Sequence, residues 1–147
     1  MCVGEFASLS VFYYHLYMNE QELGMVAEIE FKKRAVSNGF IVCKVLNDRG
    51  GYDFIIDCGD RLTKIQVKSS SSVEMRGTSP SYNLTIKKRK SGSRTLYDKN
   101  DYDFLAIYIH GPNMMYIIPI AETSGKMRIF VNSKKSKYTK YLDAWNL

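Results

Sequence analysis

Leu23, Ala27, Phe31 and Ala35 recur at intervals of four between Asn19 and Gly39, with Glu28, Glu30, Lys32 and Lys33 among them. That spacing gathers the apolar side chains into one helical stripe facing a core. Asn19 followed three residues later by Glu22 has the form of a capping box, and Gly39 suits a left-handed stop. A helix over about residues 20–38 is therefore expected. Glu28 adjoins the stripe and can reach the edge of a sheet beneath the helix. Beyond Gly39 the pattern changes to short β-rich runs. Residues 40–46 read as a strand, 47–51 as a loop, and 52–57 and 62–69 as the arms of a hairpin closed by Cys58-Gly59-Asp60-Arg61. Residues 69–81 are Ser-rich with Gly77 and Pro80, and read as a loop able to close over a substrate. Residues 82–86, 103–109, 114–118 and 127–131 read as further strands. His110-Gly111-Pro112-Asn113 is a turn between the middle two, and Pro119 ends the third. Residues 11–17 are almost continuously apolar and fit helix or strand alike; residues 134–145 form a lysine-rich tail compatible with helix. The order predicts an α/β or α+β fold, a helix followed by a mixed sheet.

With 147 residues, 45% of them hydrophobic, the chain can bury a core without staples, and one domain over residues 1–147 is expected. Its formal charge of +6 is uneven. Lys87, Lys88, Arg89, Lys90 and Arg94 form one basic cluster, and Lys134, Lys135, Lys137 and Lys140 another, a distribution suited to a polyanion. Tyr82 or Tyr97 beside the first cluster could stack on a base or touch a sugar. Cys2, Cys43 and Cys58 cannot all pair and form no Cys-X-X-Cys or Cys/His set, which points to a reducing, cytoplasmic setting and no zinc site. His15 and His110 have no partner at a catalytic spacing and are assigned structural or surface roles. The apolar run at residues 9–18 is too short to span a bilayer and lacks a basic flank, so neither export nor a membrane partner is expected.

The chemistry is concentrated in the hairpin. Gln66 and Lys68 are two apart, so on a strand both leave the same face, and Asp53 on the other arm can meet them. A carboxylate, an amide and an ammonium then converge where a divalent ion could bind, with Glu28 as a second carboxylate. Magnesium takes oxygen ligands, keeps several waters and needs only one or two carboxylates beside a substrate phosphate.

Glu28, Asp53, Gln66 and Lys68 in this order resemble the PD-(D/E)XK nuclease superfamily. The likeness extends through Leu23-Gly24-Met25-Val26-Ala27-Glu28, Gly39-Phe40, Gly51-Tyr52-Asp53-Phe54, Asp101-Tyr102-Asp103-Phe104-Leu105-Ala106 and Tyr116-Ile117-Ile118-Pro119. That longer arrangement is similar to the group I intron homing endonucleases of this fold and covers about residues 20–120, leaving a basic tail over about 132–147. Tyr52 stands where the superfamily often has Pro, and Gln66 replaces the acidic residue, removing one negative charge from the site. The resemblance implies a restriction-endonuclease-like core and a Mg2+-dependent endonuclease, with Mn2+ as a substitute. The metal would be held by Asp53, Glu28, Gln66 and the Val67 carbonyl, with Lys68 beside the attacking water. It further implies double-stranded DNA as substrate, cut on both strands at a specific site by a homodimer or homotetramer, in the cytoplasm of a bacterial or phage-infected cell. Two other readings fit the same residues: a Holliday-junction resolvase of the same fold, and a DNA-binding module with a silent centre.

Overall fold

A computed structural model describes residues 17–47, 50–90, 92–131 and 136–147, with the side chains of Arg76, Arg89 and Lys90 excepted. The expectations for residues 11–16, including His15, and for Cys2, Lys134 and Lys135 lie outside the described residues.

Helix α1 spans Glu20–Ser37. Both arms of its capping box form: the Asn19 side chain accepts from Glu22 N at 3.0 Å, and the Glu22 carboxylate accepts from Asn19 N at 2.8 Å. Gly39, with φ of +86°, ends it in the left-handed region that a side chain would strain. The stripe of Leu23, Ala27, Phe31 and Ala35 is buried.

The helix lies on a five-stranded mixed sheet in the order β1-β2-β3-β8-β9. The strands are β1 (Ile41–Lys44), β2 (Phe54–Asp57), β3 (Leu62–Ser70), β8 (Phe104–Ile109) and β9 (Met114–Pro119). Only β3 and β8 are parallel within it, pairing Gln66 with Leu105 and Lys68 with Ile107. Asp103 fixes that register: its carboxylate accepts from Lys64 N at 2.7 Å, and its own N–H donates to Lys64 O at 2.8 Å. Core lies on both faces of the sheet. Phe31, Ala35, Phe54, Ile56, Ile65, Val67, Ala106 and Tyr108 pack on the helix side. Leu105, Ile107, Ile109, Tyr116 and Ile118 meet Tyr82, Leu84, Ile86, Ile129 and Val131 on the other. Strand β8 is thus covered on both sides, which is why Leu-Ala-Ile-Tyr-Ile reads as an unbroken apolar run.

The second layer departs from expectation. The Ser-rich segment is not a loop: it holds β4 (Val73–Arg76), a turn at Gly77, and the start of β5 (Ser79–Thr85). With β10 (Arg128–Val131) these make a three-stranded sheet ordered β10-β5-β4. Val73 and Met75 alternate with Glu74 and Arg76, a period of two that the surrounding serines obscure. The basic run forms a hairpin, β6 (Lys88–Lys90) and β7 (Ser93–Thr95), turning at Gly92. A short helix α2 (Ile120–Thr123) follows β9. The described part of the C-terminal tail is not a helix but a 3-10 turn, Thr139–Tyr141, leading into chain that folds back. Trp145 packs on Phe31 with centroids 5.8 Å apart, and Asp143 accepts from Arg34 at 3.2 Å. No described helix is long and apolar enough to cross a membrane.

His110, just after β8, is 1% exposed and edge-on to Tyr108, a core position and not a surface one. Burial pushes its pKa from 6.5 down to about 4. The unfolded chain takes up this proton below pH 6.5 and the folded chain does not, so the stability from neutral His110 is complete above 6.5 and is lost as pH falls toward 4. We expect denaturant titrations to lose on the order of 3 kcal/mol over that interval through this residue. His110→Gln should flatten that part of the curve; an unchanged slope would refute the assignment.

Candidate active site

Asp53 sits one residue before β2, yet its main chain already belongs to the ladder. Its N–H donates to Ile65 O at 2.8 Å and its carbonyl accepts from Val45 N at 3.0 Å. Phe54 and Ile56 point to the helix, so Asp53 points away from it. Ile65 and Val67 on β3 also face the helix, so Gln66 and Lys68 share the face of Asp53. The hairpin therefore brings three of the predicted residues to one side of the sheet.

Asp53 Oδ2 accepts from Val67 N at 2.7 Å and from Gln66 Nε2 at 2.5 Å. The same Gln66 nitrogen donates to Val67 O at 3.0 Å. One amide NH2 thus bridges a carboxylate oxygen and a carbonyl oxygen, two acceptors that a cation also favours. Burial raises the Asp53 pKa above its usual range; the Val67 N–H lowers it, Glu28 raises it, and Lys44 and Lys68 lower it. Burial is the largest effect.

Glu28 projects from α1 and forms an ion pair with Lys44 Nζ at 2.6 Å, while that ammonium also lies 4.6 Å from the centre of the Phe54 ring. Lys68 Nζ is 5.8 Å from the centre of the Tyr97 ring. Glu28, Lys68 and Tyr97, with Asp53 and Gln66, line a cleft of about 520 Å³ to which α1 also contributes Glu20 and the basic segment contributes Lys87, Lys88 and Arg94. The predicted basic residues behave differently from one another. Lys88 is held by Asp101, and at 3.4 Å by Asp98, so it anchors the β6–β7 hairpin. Asp101 is itself pressed against Gly51, where a Cβ would come within 2.6 Å of the Asp101 Cβ. Lys87 and Arg94 line the cleft, and the side chains of Arg89 and Lys90 lie outside the described residues.

Sequence reasoning missed Lys44 and Glu20. Glu20 was within reach, being two turns before Glu28 on the same helix face. Lys44 is near Glu28 only because β1 is the strand beside β2, a long-range pairing. Among the described residues no three His, Cys, Asp or Glu side chains gather into a metal site. The donor set is instead two carboxylates, one amide and one main-chain carbonyl, which suits a hard cation that keeps part of its water shell.

A helix over a mixed sheet, with Asp at the head of the second strand and Gln-X-Lys on the third, defines a nuclease fold of the restriction-endonuclease type. The chain belongs to the PD-(D/E)XK endonuclease family, which it matches over residues 18–147. It is similar to a bacterial homing endonuclease of solved structure, I-Ssp6803I, at 26% identity and TM-score 0.69, over 84% of this chain and 88% of that one. The crystal structure of MepB aligns at 15% identity and TM-score 0.39, over 66% of this chain and 72% of that one. Comparison with curated proteins finds no match.

The raised Asp53 pKa has a consequence for stability. A carboxyl whose folded pKa exceeds its unfolded value near 3.8 contributes stability below 3.8 that is lost as pH rises through the folded pKa. At pH 7 the folded protein therefore carries the burden of a partly desolvated charge. Asp53→Asn should raise the melting temperature at pH 7 in metal-free buffer, with the gain vanishing below about pH 3.8. A lower melting temperature at pH 7 would show that the Asp53 hydrogen bonds outweigh the burial of its charge.

Proposed function

We propose that this protein is a Mg2+-dependent DNA endonuclease of the homing type, with Asp53, Glu28, Gln66 and Lys68 as its catalytic set. The observation that carries this is the bridging of Asp53 Oδ2 and Val67 O by the Gln66 amide, with Lys68 on the same face, in a chain of an endonuclease family. Divalent ions are the cofactors of that family. The site's chemistry fits one: two oxygens held together by amide hydrogens are two oxygens that a cation can join. Asp53, Glu28 and the Val67 carbonyl would hold Mg2+, or Mn2+ in its place, and a turn of the Gln66 side-chain amide would exchange its nitrogen for its carbonyl oxygen. When bound, the ion supplies charge for the phosphate oxygens and a water acidic enough to attack near neutral pH.

The protein's own groups perform the rest. Asp53 keeps its place through the Val67 N–H whether or not the amide turns. Lys68 orients the attacking water and offsets charge that develops on the phosphate. Glu28 holds Lys44, which limits the negative charge of the site when no cation is present. Lys87 and Arg94 take phosphates of the duplex, aided by Arg89 and Lys90, while Lys88 keeps the hairpin against Asp101. Such contacts make affinity fall with salt, at about −0.9 in log–log slope per phosphate neutralised.

One such centre cuts one strand at a time, so we infer a homodimer or homotetramer that presents two centres to opposite strands. The organisation as one domain and a cytoplasmic location complete the proposal.

The test sets the protein and Mg2+ against linear, supercoiled and four-way-junction DNA in parallel. Double-strand cleavage of duplex substrates is expected. Preferential resolution of the junction would indicate a resolvase, and DNA binding without cleavage at any metal concentration would indicate a silent centre. Lys68→Ala and Asp53→Ala should each reduce cleavage by at least about 100-fold with DNA binding retained. Normal cutting by both would contradict the assignment of the site.

A further inference from the structure

Helix α1 turns Glu20, Gly24, Ala27 and Glu28 toward the cleft, spaced as neighbours on one helical face. Gly24 is anomalous among them. In the interior of a helix of 18 residues, glycine is the poorest residue after proline, because it has the most backbone freedom to lose. Other glycines here have internal reasons. Gly39 adopts a φ of +86°, and a Cβ on Gly51 would collide with Asp101 at 2.6 Å. Gly24 has neither: its φ is not in the left-handed region, and a Cβ built on it meets no heavy atom within 4 Å among the described residues. Among the described residues, neither backbone conformation nor packing requires glycine there. The space it leaves opens into the cleft.

That wall has a distinctive character. Two carboxylates, Glu20 and Glu28, flank the bare helix surface at Gly24, with Ala27 buried beneath it, while Lys87 and Arg94 line the same cleft from the segments that lead from Ile86 and into Tyr97, which pack on the other face of the sheet. A nucleic-acid strand has the complementary asymmetry, with anionic phosphate oxygens on one side of its backbone and a neutral sugar on another. We propose that the gap at Gly24 seats the sugar of the DNA strand being cut, with its phosphate oxygens turned toward Lys87 and Arg94. The proposal rests on the nuclease reading and adds to it a residue that orients the substrate. Glu20 contributes by repelling phosphate from the sugar side. The room matters because a strand must lie close to the helix for its phosphodiester to come within reach of Asp53 and Lys68, and a side chain at position 24 would hold it away.

The experiment compares wild type, Gly24→Ala and Gly24→Leu by thermal melting, by binding to plasmid DNA in metal-free buffer, and by nicking of the same plasmid with Mg2+. Stability and substrate binding should move in opposite directions. Gly24→Ala should melt a few degrees higher yet bind plasmid several-fold more weakly, and Gly24→Leu should remain folded and bind at least tenfold more weakly. Val36→Ala, a better helix former at an exposed position of the same helix, should leave binding unchanged, which separates a blocked seat from a stiffened helix. Folded Gly24→Leu that binds and nicks like wild type would overturn the proposal while leaving the nuclease reading intact. Wild-type protein that neither binds nor nicks plasmid would remove both.

Discussion

A single carboxylate oxygen, Asp53 Oδ2, gathers the residues of the proposed active site. It is drawn out of water and held by the Val67 main chain and the Gln66 amide, both from the neighbouring strand. Desolvation disfavours its charge, and the two hydrogen bonds recover only part of what water would have given. A half-buried anion so placed is costly to the fold and advantageous to a cation, because the same low-polarity surroundings that raise its pKa strengthen its attraction for a metal. Functional sites tend to carry strain of this kind, and the remaining structure must be rigid enough to sustain it.

Rigidity comes from the two-sided packing of the sheet. Phe54, Ile56, Ile65 and Val67 lock the helix-facing side of the hairpin, so the alternation of strand side chains leaves Asp53, Gln66 and Lys68 no choice of face. The parallel pairing of β3 with β8 is pinned at its start by Asp103, whose carboxylate and N–H both engage Lys64. Asp101, two residues earlier, holds Lys88 and accepts from the N–H of Asp98 at 2.7 Å, which sets the basic hairpin beside the cleft. The two aspartates of the Asp-Tyr-Asp-Phe segment therefore both serve architecture: one aligns strands, the other positions a lysine.

Much of this was legible in the sequence, and the reasons for success and failure are physical. The helix was plain because its cap, its stripe and its stop all depend on neighbours within four residues. The hairpin was plain for the same reason, with a tight turn between two β-rich arms. Grouping Asp53 with Gln66 and Lys68 followed from the period of two. Residues 69–81 were misread because serine and glycine composition outweighed a weak alternation that becomes a strand only when β5 and β10 supply partners. The tail was misread as helix-compatible because its lysines are individually at ease in helices, whereas its conformation is set by Trp145 seating on Phe31 and Phe40. Lys44 and the hold of Asp101 on Lys88 depend on contacts that no local pattern encodes.

In the proposed mechanism Asp53, Glu28 and the Val67 carbonyl would hold a divalent ion where the Gln66 amide hydrogens now lie. The most direct measurement is an NMR titration with sub-stoichiometric Mn2+, whose unpaired electrons broaden signals from nearby protons. The side-chain NH2 of Gln66 and the backbone N–H of Val67 should broaden first, ahead of signals from the β4–β5 hairpin or the C-terminal turn. Broadening that begins elsewhere and spares Gln66 and Val67 would contradict it.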